Sequence, residues 1–172
     1  MLAYRIVFKK YSRKLLAPGF AGRWNGSGRK VIYCAESVAL AFLENMIRRQ
    51  GVGFNQDFKT MILEIPASAF VASAKAADLK IQTVNPDDLP AGWRRFTDYS
   101  ICQPIGNAWY DAGIYPLLKV PSAVLPESSN YVINSTHPGF NKIKLIQVSD
   151  FIPDERIEAL LKNYSTARTA LP

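Results

Sequence analysis

The sequence predicts an α+β domain with a mixed, mainly antiparallel sheet and flanking helices. Three observations carry that expectation. Short runs rich in β-formers recur along the chain, several of them cut off by proline or glycine. Residues 37–50 repeat their apolar side chains with a helical period. No internal repeat, low-complexity tract or linker composition divides the chain. With 172 residues, 48 % apolar and 20 % charged, it has the composition of a globular protein. A chain of that length can bury a core without disulfides or structural metals, so residues 1–172 are expected to form one domain.

The elements follow in order. "YRIVF" (4–8) and "KVIYCA" (30–35) read as strands joined by a glycine-rich loop. Residues 37–50, "SVALAFLENMIRRQ", read as a helix: Ser37 is the N-cap, Glu36 complements the positive end of the dipole, and Gly51 is the stop. "KTMILEI" (59–65) is a strand ended by Pro66, and "LKIQTV" (79–84) a weaker one. A loop after "NPDDLPAGW" leads to a helix somewhere within 92–115. Strands are then expected at 117–125, 130–134 and 142–148, with an amphipathic helix at 154–164.

Composition excludes several classes. The N-terminus carries Arg5 and lacks the apolar core of a secretory signal, and the longest apolar run, 38–43, is too short to span a bilayer. Cys34 and Cys102 lie in strand-like or mixed surroundings and are expected as two buried thiols in a reducing, cytoplasmic compartment. The single histidine, His137, has no neighbouring ligand pair for zinc and no G-x-S-x-G elbow to serve; in "STHPGF" it reads as a turn residue bonded to backbone. Gly22, Gly26 and Gly28 fit neither P-loop spacing nor a dinucleotide fingerprint. The net charge of +7 favours an anionic ligand or partner without choosing among nucleic acid, phosphorylated metabolite and acidic protein. For nucleic acid the one candidate cluster is Tyr4, Phe8 and Tyr11 among Lys9, Lys10, Arg13 and Lys14.

Two places concentrate chemistry. "GFAGRWNGSGR" (19–29) sets Arg23 and Asn25 beside Trp24 among four glycines. Arg23 could present its planar fork to a phosphate, or could stack on a Trp24 that belongs to the core. On a helical wheel Glu44 falls just past Leu40, at the edge of the apolar arc formed by residues 38, 39, 40, 42, 43, 46 and 47. There it could aim along a cleft rim or form a surface pair with Arg48.

These residues recur in one ordered pattern: "YRI" at 4–6, "GRWN" at 22–25, "VIYCAES.ALAFLE" at 31–44, "VPSAVLP" at 120–126 and "NYVINSTHP" at 130–138. The pattern resembles the RES domain, the toxin of bacterial Xre-RES toxin–antitoxin pairs. Ala21 stands where the family often has glycine, and Ser135-Thr136 replaces a proline-containing step. The resemblance implies a fold similar to ADP-ribosyltransferases and an enzyme that consumes NAD by cleaving its nicotinamide–ribose bond. Such an enzyme is a glycohydrolase or phosphorylase of a type II toxin–antitoxin system, or a protein ADP-ribosyltransferase using the same site. The Arg, Glu and Ser that give the family its name fall on Arg23, Glu44 and Ser122, and Tyr33 matches a further pocket residue. Glu44 would stabilise positive charge on the ribose, Arg23 would hold the pyrophosphate, Tyr33 would offer a ring face, and Ser122 would orient the ribose or Glu44. Trp24 and Asn25 would add contacts to the dinucleotide. The implied partner is an Xre-type antitoxin, with room for a homo-oligomer in that complex. No metal, membrane or direct nucleic-acid contact is expected.

Overall fold

The computed structural model describes residues 1–49, 57–66, 80–157 and 159. Seven strands form one sheet: β1 (Leu2–Phe8), β2 (Val31–Ala35), β3 (Phe58–Glu64), β4 (Ile81–Thr83), β5 (Leu117–Pro121), β6 (Ser129–Asn134) and β7 (Lys144–Asp150), in the order β4-β5-β6-β2-β1-β3-β7. Every pairing is antiparallel except β4 with β5, which gives the mixed sheet expected. Among the described residues α1 (Val38–Arg48) and α2 (Cys102–Ala112) accompany it. The strand expected through 125 ends at Pro121, where the Ser122 hydroxyl accepts the amides of Val124 and Leu125 and turns the chain. Residues 155–157 and 159 are helical, and the rest of the closing helix lies outside the described residues, as does Gly51.

Residues directly opposite in the ladders share a face of the sheet. Tyr33 lies opposite Val132, Ala35 opposite Asn130 and Tyr4, and Val120 opposite Asn130, so all six point the same way. Both helices cover this face. α1 packs on Ile6, Ala35 and Phe58 through Leu40 and Ala41. α2 packs on Val31, Leu118, Val120 and Val132 through Cys102 and Trp109. Along β2 the change of cluster falls between Tyr33, on the α2 side, and Ala35, on the α1 side. That seam is where the candidate residues gather.

The opposite face carries Ile32, Cys34, Met61, Leu63, Leu117, Tyr131 and Ile133, covered in part by Leu15, Ala17, Phe140 and Ile143. Cys34 and Cys102 are both buried and unbonded to one another, as expected. Burial pushes the Cys34 thiol up to about 12, which leaves it a small apolar filler. His137 caps a 3-10 turn (Pro138–Lys142), its Nδ1 accepting the Gly139 amide at 2.9 Å. Of the aromatics interleaved with basic residues, Tyr4 packs in the α1 cluster and Phe8 lies 4.4 Å from Phe58, ring centre to ring centre. Among the described residues no helix is long and apolar enough to cross a membrane.

Candidate active site

The glycine-rich loop folds on itself and onto α2. Gly22 and Asn25 exchange backbone hydrogen bonds, and the Gly28 amide donates to Gly19 at 2.8 Å. Gly19 and Gly28 sit at φ +83° and +88°, where a side chain is strained. A Cβ at Gly22 would lie 2.8 Å from the Tyr33 hydroxyl and 2.9 Å from Asn25 Oδ1. From α2, Gln103 donates to the Gly22 and Asn25 carbonyls, and Asn107 accepts the Gly26 amide. A bidentate Arg29–Asp111 pair fastens the loop's end to the helix C-terminus and holds the exposed Asp111 carboxyl below its usual range.

Within this loop Trp24 is 2 % exposed, packed with Trp93 and Trp109, and Asn25 is wholly buried. The Asn25 amide donates to the carbonyls of Phe20 and Gly26 and accepts from the Tyr33 hydroxyl at 2.7 Å. Tyr33 in turn accepts the Trp24 amide, and burial raises its phenol well above the ordinary value, keeping the donated proton in place. Trp24 and Asn25 are therefore committed to the loop's own interior, and any service to a ligand passes through the neighbours they support. Arg23 does not stack on Trp24. Its guanidinium lies 4.9 Å above the Tyr99 ring, and its Nη1 and Nη2 donate to the carbonyls of Trp93 at 2.6 Å and Arg95 at 3.0 Å.

Across the seam stands Glu44. Ser37 caps α1 by accepting the Leu40 amide at 3.1 Å, as the sequence predicts. The buried face differs from the expected arc: Leu40, Ala41 and Asn45 are buried, while Val38, Ala39 and Ile47 are exposed. Leu40 and Ala41 bracket Glu44 on the wheel, so the carboxylate points inward and not along the edge. Partners beneath it make that placement tolerable. Glu44 Oε1 accepts the Ser122 hydroxyl at 2.7 Å and the Asn130 side-chain amide at 2.5 Å. Among the described residues nothing donates to Oε2, and no pair with Arg48 forms.

The structure thus joins Glu44 with Ser122, and Tyr33 with Trp24 and Asn25, while Arg23 belongs to the loop half of the site. Asn130 escapes the sequence reading. It is the second residue of β6, whose inward face depends on register with β2, and that register is not written in the residues next to it. Among the described residues no three His, Cys, Asp or Glu side chains meet as metal ligands would.

The RES domain family model matches residues 2–157. A Toxin Res of Pseudomonas putida is 33 % identical over 141 residues, covering 80 % of this chain and 86 % of that protein. The Prs ADP-ribosylating toxin of a Sphingobium species is 32 % identical over 136 residues, with 79 % and 80 % covered. A Toxin Res of Yersinia enterocolitica is 29 % identical over 163 residues and is matched along its whole length. The fold is shared with a chain in the crystal structure of the M. tuberculosis MbcT-MbcA toxin-antitoxin complex. That match has a TM-score of 0.67 at 19 % identity and covers 94 % of this chain and 87 % of that one.

Proposed function

The chain belongs to the RES domain family, and from that premise we propose that it is the toxin of a toxin–antitoxin pair and acts by cleaving the nicotinamide–ribose bond of NAD. One observation carries the reading: a carboxylate at the seam between the α1 and α2 packing clusters, with one oxygen held by two donors and the other left for a ligand. Nicotinamide leaves NAD as a neutral molecule, taking the pair of electrons of the C1′–N bond, so no general acid is needed. Positive charge develops on the ribose, and a preorganised carboxylate stabilises it. Glu44 supplies that charge, and Ser122 and Asn130 keep it aimed without touching the reacting atoms. Water or phosphate then bonds to C1′ and gives up a proton.

Arg23 is held rigid by the Trp93 and Arg95 carbonyls and offers its remaining N–H groups to the pyrophosphate. The Tyr33 ring flanks the same seam, its hydroxyl already engaged. Incubation of the purified protein with NAD, with and without phosphate, should release nicotinamide together with ADP-ribose or its 1″-phosphate. Intact NAD after prolonged incubation defeats the reading. The name of the Sphingobium relative favours a second outcome, transfer of ADP-ribose to a protein side chain from the same site. Label from NAD that stays on protein would identify it. An antitoxin, expected to be of the Xre type, would hold the enzyme inactive.

The fork geometry of Arg23 makes a separate expectation. Arg23→Lys keeps the charge but cannot span two carbonyls and a phosphate, so KM for NAD should rise about tenfold or more, the size of one charge-assisted hydrogen bond. Arg48→Ala, at an exposed position on α1, should leave KM unchanged. Equal effects in the two variants would point to general electrostatic attraction instead.

A further inference from the structure

Building on the NAD-cleaving reading, we propose that Arg94 is a positioning residue that couples the Arg23 half of the site to the Glu44 half. The two carbonyls that Arg23 grips belong to Trp93 and Arg95, the residues on either side of Arg94. Held on that side, the segment sends the Arg94 side chain the other way. Its Nε donates to the Ala123 carbonyl at 2.9 Å and its Nη2 to the Val124 carbonyl at 3.3 Å. Those carbonyls lie in the turn whose amides, from Val124 and Leu125, converge on Ser122 Oγ at 3.1 and 3.0 Å. The Ser122 hydroxyl in turn donates a hydrogen bond to Glu44 Oε1.

A continuous run of hydrogen bonds thus leads from Arg23 through residues 93–95, Arg94 and the 123–124 turn to Ser122 and Glu44. Arg94 is the link by which the 93–95 segment reaches the 123–124 turn, and it does so by its side chain. The turn it grips is otherwise closed by two backbone bonds, Ser122 to Ser128 and Ser128 to Leu125, and neither reaches the Arg23 loop. Among the described residues no carboxylate pairs with Arg94, so its fork serves the two carbonyls. Arg23 and Glu44 address distant parts of one dinucleotide, and a misplacement of about 1 Å between such groups costs on the order of a hundredfold in rate. Arg94 sets that spacing.

The test combines kinetics with amide hydrogen exchange. Arg94→Ala should lower kcat about tenfold and raise KM, and Arg94→Lys should recover part of both. The double variant Arg94→Ala/Ser122→Ala should lose scarcely more kcat than Ser122→Ala alone, because both changes act through Glu44. Wild-type kinetics in Arg94→Ala, or losses that simply add, overturn the proposal. The amides of Val124 and Leu125 should exchange several-fold faster in Arg94→Ala and remain protected in Lys59→Ala, which breaks an ion pair with Asp150 elsewhere. Unchanged protection in Arg94→Ala overturns the coupling whatever the substrate proves to be. Deprotection at those amides in a protein whose wild type leaves NAD intact overturns the reaction and leaves the coupling standing. Faster exchange over the whole chain in both Arg94 variants would mark a residue of general stability and overturn it too.

Discussion

Glu44→Gln should remove nearly all NAD cleavage from a protein that still folds. Glutamine keeps an Oε1 acceptor for Ser122 and Asn130, so the hydrogen bonds beneath α1 have a partner and the helix has no reason to move. What disappears is the negative charge facing the developing cation. Loss of one preorganised electrostatic group costs roughly 3 kcal/mol, on the order of a hundredfold in rate. Nicotinamide release read beside the thermal midpoint checks both halves of the expectation. In cells lacking the partner, NAD should fall with the wild-type protein and hold steady with the variant. Wild-type turnover in a well-folded Glu44→Gln protein would take the catalytic role away from this residue.

Gly106→Ala should unfold the site from the opposite side. A Cβ at Gly106 would stand 1.8 Å from the Trp24 carbonyl oxygen and 2.7 Å from its carbon. Both are backbone atoms, with no rotamer by which to step aside, so α2 must withdraw from the loop. The Gln103 and Asn107 contacts would stretch together, and with them the ground on which Arg23 rests. Overpacking against backbone of this severity should cost about 3 kcal/mol or more, a fall of roughly 10 °C in midpoint for a domain of this size. Gly26→Ala is the contrast: its nearest neighbour is the Arg29 side-chain tip at 3.2 Å, which can move, and a loss below about 1 kcal/mol is expected. A Gly106→Ala midpoint within about 2 °C of the wild type, a loss of no more than roughly 1 kcal/mol, would show that the helix and loop are not locked as described.

What could be read in the residues was local. The Ser37 cap, the β-former runs of the strands and the backbone-bonded turn at His137 follow from neighbours within a few positions, and the structure has each of them. The inward turn of Glu44 does not follow, because it depends on Ser122 and Asn130, 78 and 86 residues away. Family resemblance brought Ser122 to notice; Asn130 stands in a stretch of the same pattern, yet only the ladder register turns it toward Glu44. Glycine spacing announced an unusual loop at 19–29 but not the direction of its folding, so a core Trp24 and a ligand-facing one stayed equally open, and Asn25, read as a ligand contact, proved wholly buried. Polar residues on an apolar helix face are ambiguous until the opposite wall is known, which is why the expected arc on α1 was centred away from the true one.

The long reach of these contacts also sets a timetable. Arg23 finds its carbonyls 70 and 72 residues downstream, and Glu44 waits 86 residues for Asn130. At about 5–20 residues per second of translation, that last wait is roughly 4 to 17 seconds. A nascent chain stalled within that interval presents a carboxylate that Asn130 cannot yet hold, and a fragment ending before residue 122 lacks both of its donors. On the proposed reading, competence to cleave NAD therefore arrives late, after most of the polypeptide already exists for a partner to meet.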